Sequence, residues 1–112
     1  MAWTAPDDPR ALHSYGAGLT AWQQGVPGDA LARWREATAV APGFTAAWLA
    51  QAEVAQLIGE QDAAYEAIER GQSAAGDAPT AVSRRLQADR AMLDGDAPAA
   101  ASLWRTHLQA TP

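Results

Sequence analysis

The chain has 112 residues, a single domain's worth, of which 48% are hydrophobic and 19% charged, with a net charge of −5. That weak charge argues against a disordered polyelectrolyte, and 13 acidic against 8 basic residues argue against a nucleic-acid binder that works by neutralising phosphates. Without cysteine there is no disulfide framework, no thiolate metal site and no Cys nucleophile.

Pattern and punctuation predict helices throughout. Asp8 is placed to cap the first, with Pro9 at a position where its missing N–H costs nothing. This helix runs to about Gln24 and stops at Gly25. Pro27 opens the second, which ends near Ala41, before Pro42 and Gly43. Thr45 is the expected cap of the third, which stops at Gly59. The fourth covers about Gln61 to Ser73. Asp77 with Pro79 starts the fifth, which stops at Gly95. Asp96 caps the sixth, with Pro98 in its first turn, and this helix reaches about Ala110. No segment alternates at period two over a useful length, so no strand is predicted.

Composition sharpens that reading. Alanine occurs 29 times, whereas Leu, Ile, Val and Phe together number 16, so the helices must approach closely on small residues, with five Trp filling the gaps. The chain also repeats. Gly18, Gly25, Ala30 and Trp34 return 34 residues later as Ala52, Gly59, Ala64 and Ile68, and again after 36 more as Ala88, Gly95, Ala100 and Trp104. The spacing sets a small residue of one helix against a small residue of the next, a bulky residue one turn later, and a glycine turn between. One helix pair cannot bury its apolar face alone, so stacked copies are expected to build the core.

These marks resemble the tetratricopeptide repeat family. The first copy carries them at Gly18, Ala30, Trp34, Ala37 and Pro42; the second at Trp48, Ala52, Gly59 and Ala64; the third at Ala88, Gly95, Ala100, Trp104 and Pro112. Alanines at 21, 55 and 91 replace the family's Tyr, and Gly71 and His107 replace its second Ala. The resemblance implies an all-α helical-repeat solenoid of three antiparallel helix pairs in a right-handed superhelix. An N-terminal arm at 1–8 would precede one domain at 9–112, with repeats at about 11–44, 45–78 and 79–112. Residues from about Ala47 to Pro112 are also similar to the N-terminal repeat arrays of bacterial sulfotransferase-domain proteins.

The residues suggest no chemistry of their own. His13 and His107 lie far apart in sequence and lack partners at ligand spacing, so no metal is expected. The serines at 14, 73, 83 and 102 have no nucleophile-elbow context, and Gly16 with Gly18 lies inside a helical pattern. Asp94 and Asp96 lack the remaining ligands of a calcium loop. Arg84, Arg85 and Arg90, with Asp89 among them, read as a salt-bridged exposed face sooner than as an anion site. No enzyme, cofactor, nucleic acid or membrane is expected. No apolar run nears the ~20 residues of a span, and Met1 to Asp8 shows no basic, then apolar, signal, so a cytoplasmic chain is expected.

The family resemblance implies a function in protein binding, because there the first helix of each pair lines a concave groove. By register the groove residues are Leu12, Tyr15, Leu19, Trp22 and Gln23, then Ala46, Leu49, Glu53, Gln56 and Leu57, then Val82, Arg85, Asp89, Met92 and Leu93. The stripe Leu12, Tyr15, Leu19, Trp22 reads equally as core or as an exposed row of anchors. Tyr15, Leu19 and Leu49 stand where the family's carboxylate clamp needs Lys, Arg or Asn, which disfavours acidic C-terminal tails. An apolar or amphipathic segment with some basic character suits the acidic balance better. Leu103, Trp104 and Leu108 on the sixth helix are expected to lack a covering helix, which makes them candidates for homodimer contact. The expected role is a non-catalytic adaptor or scaffold for a protein or peptide partner. The alternative is the non-catalytic arm of an enzyme such as a sulfotransferase.

Overall fold

The computed structural model describes residues 8–76 and 80–110, and at 107 and 110 the backbone alone. It is all-helical: α1 (Pro9–Gln23), α2 (Pro27–Val40), α3 (Thr45–Leu57), α4 (Gln61–Ala75), α5 (Ala81–Leu93) and α6 (Ala97–Ala110), with no strand among the described residues. Helices pack most extensively in consecutive pairs, α1 with α2, α3 with α4, α5 with α6. Smaller interfaces of α2 with α3, α4 with α5 and α3 with α5 join the pairs.

Local chemistry explains most boundaries. The Asp8 carboxylate accepts from the Arg10 backbone N–H at 2.9 Å, and Pro9 follows the cap, as expected. Asp96 likewise accepts from the Ala99 N–H at 3.1 Å, with Pro98 in the first turn of α6. Two expected starts are corrected. The α3 cap position is Phe44, and Thr45 is already inside the helix. Phe44 is 2% exposed and packs with Ala11, Ala37 and Ala47, so burial rather than a side-chain cap fixes the entry of α3. Helix α5 starts at Ala81 and is capped by Thr80, whose hydroxyl accepts from the Ser83 N–H at 3.1 Å while Ser83 Oγ accepts from the Thr80 N–H at 2.9 Å. This reciprocal cap satisfies two N–H groups at once. Asp77 and Pro79, the expected starters, lie outside the described residues, as do residues 1–7 of the expected arm. Helix α4 runs two residues past Ser73, to Ala75.

The three expected glycine turns are present. Gly25, Gly59 and Gly95 have φ of 78°, 82° and 77°. After each, the next residue's N–H reaches five residues back: Val26 to Ala21 at 3.0 Å, Glu60 to Ala55 at 2.8 Å, Asp96 to Ala91 at 3.0 Å. These bonds satisfy carbonyls that the helix end would leave open.

The small residues lie inside. Ala30, Ala52, Ala64 and Ala88 are fully buried, and Ala100 nearly so. Gly18 permits the closest approach: a Cβ there would overlap the indole of Trp34. Trp34 is 3% exposed and its Nε1 donates to the Tyr15 carbonyl at 3.1 Å, tying α2 to α1. Gln51, also buried, donates to Thr38 Oγ1 at 2.9 Å and to the Trp34 carbonyl at 3.1 Å, tying α3 to α2. At Gly71 a Cβ would come within 2.9 Å of Leu86 Cδ1 and 3.0 Å of Trp48 Cβ. The departure from alanine at that position therefore makes room for Leu86, which is fully buried beside Ile68 and Leu49.

A candidate partner-binding groove

One face of the molecule is built from the odd-numbered helices. A cavity of about 630 Å³ opens there, lined by Tyr15, Leu19 and Trp22 of α1, Leu49, Glu53 and Leu57 of α3, and Val82 and Arg85 of α5. Trp34 of α2 closes one wall. Spacings of three and four along each helix put these side chains in rows on one face. A smaller hollow of about 400 Å³ lies among α2, α3 and α4, lined by Leu31, Arg35, Trp48, Gln51, Glu66 and Arg70. There the Arg70 guanidinium stands over the Trp48 ring at 5.9 Å and Arg35 pairs with Glu60 at 3.6 Å.

Burial decides between the two readings of the α1 stripe. Leu12, Leu19 and Trp22 are 39%, 41% and 43% exposed, whereas α1 packs its core through Ala11, Gly18 and Ala21. Tyr15 is half-buried, its ring 4.9 Å from that of Phe44 and 6.3 Å from that of Trp34. The structure thus brings Tyr15, Leu19, Trp22, Leu49, Glu53 and Arg85 to one cavity. Leu49 is at once its floor and part of the core. Ala46, Leu57 and Val82 line it as expected, whereas Leu12, Gln23, Gln56, Asp89, Met92 and Leu93 do not. Leu12 and Met92 are exposed elsewhere on their helices, and Gln56 donates to the Asp89 carbonyl at 3.2 Å. Trp34, Ala50 and Val54 line the cavity without having been expected there. Their spacing gave the same apolar signal as any core position, and only the fold shows one edge of each facing the groove.

The polar end of the groove corrects the reading of the arginine cluster as an exposed face. Arg85 Nη2 donates to both oxygens of Glu53 at 2.6 Å, across helices. Its guanidinium also lies 5.8 Å from the Trp104 ring centroid, so Trp104 is half-buried against α5. Asp89 is only 5% exposed. Burial, then the neighbouring Glu53 charge, pushes its carboxyl up to about 7, against the pull of Arg85. Asp89 thus holds a proton near neutrality and can share it with Glu53. Burial also raises the Tyr15 phenol.

On α6, Leu103 is half-buried and Leu108 is 67% exposed. His13 is exposed, and the side chain of His107 lies outside the described residues. Among the described residues, no group of three or more His, Asp or Glu could hold a metal ion, and no helix is long and apolar enough to cross a membrane. Comparison with family models, with characterised proteins and with solved structures finds no match to this chain.

Proposed function

We propose that this chain is a non-catalytic protein-interaction module of the tetratricopeptide-repeat type. In this reading the three helix pairs stack as successive repeats of a right-handed solenoid. The groove along α1, α3 and α5 takes an apolar or amphipathic segment of a partner. The supporting observation is the cavity itself: Leu19, Trp22 and Leu57 are 41%, 43% and 66% exposed along one edge of an apolar hollow of about 630 Å³. Clustered large apolar side chains around a concavity are what peptide recognition uses, with aromatic anchors supplying most of the energy. The repeated spacing and the three identical glycine turns support the solenoid.

Peptides selected from a random display library against the immobilised chain test this. Replacing Trp22 by Ala is expected to weaken the selected peptides by about tenfold or more, as loss of an aromatic anchor does. Its thermal unfolding should barely move, because Trp22 lies outside the buried clusters. Undiminished affinity in the Trp22→Ala variant would place binding elsewhere and sink the proposal.

A further inference from the structure

Exposed apolar side chains collect at one edge of the molecule. Of the eight large hydrophobic side chains exposed among the described residues, five lie within three residues of Gly25, Gly59 or Gly95. They are Trp22 and Val26 at the first turn, Leu57 and Ile58 at the second, and Met92 at the third. Contacts between helices set these turns side by side. Trp22 and Leu57 border one cavity, and Arg35 of α2 pairs with Glu60 at 3.6 Å. Gln56, near the end of α3, donates to the Asp89 carbonyl at 3.2 Å, and Tyr65 of α4 donates to Asp94 at 2.6 Å. The turn between α2 and α3 differs: its large apolar residue, Phe44, is buried. Val26, Ile58 and Met92 belong to none of the buried clusters and do not border the groove.

The same edge has one sign of charge. Within four residues of the three glycines the sequence holds five acids, Asp29, Glu60, Asp62, Asp94 and Asp96, and no arginine. All five are exposed. The dipoles of α2, α4 and α6 account for acids at helix starts; they do not account for the apolar residues beside them. An apolar patch rimmed by polar residues marks an interaction surface, and the sign of the rim selects the partner. Anionic lipid headgroups would meet repulsion. A helix with one apolar stripe flanked by Lys and Arg matches both the ridge and its border. We propose that the edge formed by the three glycine turns is a docking surface for a basic amphipathic helix of another protein. The apolar stripe of that helix covers Val26, Ile58 and Met92, and its cations face the acids. This surface is distinct from the groove, which it meets at Trp22 and Leu57.

The test uses two helical peptides of about four turns, with leucine on one face and either lysine or glutamate on the other. In NMR titrations the amide resonances of Gly25, Gly59 and Gly95 report on the edge, and the methyl resonances of Leu49 and Val82 on the groove. The lysine peptide should shift all three glycine amides and the glutamate peptide none. Its affinity should fall about tenfold in the double variant Val26→Ser, Ile58→Ser, whose thermal unfolding should stay near that of the parent because both residues are exposed. If that variant unfolds, Met92→Ser serves instead and should act in the same direction. Asp29→Asn with Asp62→Asn should weaken binding about threefold, the scale of exposed charge pairs. An equal response to both peptides would remove the charge complementarity and overturn the proposal, as would undiminished affinity in the double variant. A lysine peptide that shifts Leu49 and Val82 but leaves the glycines unmoved would overturn the edge and leave the groove. Glycine amides that respond to neutral phosphatidylcholine vesicles, or to protein concentration alone, and not to the peptide would assign the edge to lipid or to a second copy, and overturn it as well.

Discussion

The two junctions between helix pairs occupy the same register and are held by different chemistry. Where α2 meets α3, the buried polar contacts are neutral, with Gln51 donating to Thr38 and to the Trp34 carbonyl, and the one ion pair between these helix pairs among the described residues, Arg35 with Glu60, is solvent-exposed. Where the second pair meets α5, the contacts are ionisable: Arg85 with Glu53, Asp89 beside both, and Tyr65 donating to Asp94 at 2.6 Å. The volumes are exchanged as well. Ala37 and Ala50 at the first junction correspond to Gly71 and Leu86 at the second. One side loses a methyl and the other gains three carbons, and Leu86 still reaches zero exposure. Volume can thus be traded across a junction between helix pairs, and the buried Asp89 makes the second junction pH-sensitive.

Removing the first junction's bulky element should have the largest effect. Trp34→Ala deletes an indole that packs on Gly18, bonds Tyr15 and walls the groove. Truncating a buried aromatic of this kind costs about 3–5 kcal/mol, a large share of the ~5–15 kcal/mol of a typical domain. Chemical denaturation should show a large fall in midpoint; a loss comparable to an exposed substitution would mean that Trp34 does not organise the core.

The second junction should show itself in the pH dependence. Asp89 binds its proton more tightly in the folded chain, at about 7, than at its ordinary value of 3.8. Its contribution to stability is therefore complete below about 3.8, shrinks as pH rises, and is gone above about 7. The loss is on the order of a few kcal/mol. Asp89→Asn, whose amide can donate to Glu53 at any pH, should flatten that slope and unfold at higher temperature than the parent at pH 8. A parent curve without the decline would mean that Asp89 is ionised in the fold. Asp8 acts in the opposite sense: its bonds to Arg10 lower its carboxyl, so that small contribution disappears as pH falls.

The traded volumes give the smallest of the three effects and the cleanest comparison. Gly71→Ala pushes a methyl toward Leu86 and Trp48 and should cost about 1–3 kcal/mol, the usual penalty of overpacking. Combined with Leu86→Ala, it recreates the alanine pair of the first junction, so the two changes should cost less together than the sum of each alone. Strict additivity in a denaturation cycle would show that Gly71 and Leu86 do not share space.

The sequence carried the helices, because their signals are local. Asp8, Asp96 and the glycines at 25, 59 and 95 act within a few residues of themselves, and the structure places them where their types predict. Phe44 hid the α3 boundary because a buried apolar entry leaves no polar cap to read. The register also placed Tyr15, Leu19, Trp22, Leu49, Glu53 and Arg85 on one face, and these six meet at one cavity. Which of them is covered was beyond it. Leu19 and Trp22 have the same helical spacing whether they face water or a core, and only the packing of α1 through Ala11, Gly18 and Ala21 leaves them outside. Asp89 reads in sequence as one more solvated acid among arginines. Its raised pKa follows first from its burial in the fold and then from Glu53, brought to it by α3 from a position 36 residues earlier in the chain. Spacing along one helix fixes which residues share a face. Burial and charge depend on what lies against that face, and only the tertiary structure supplies that.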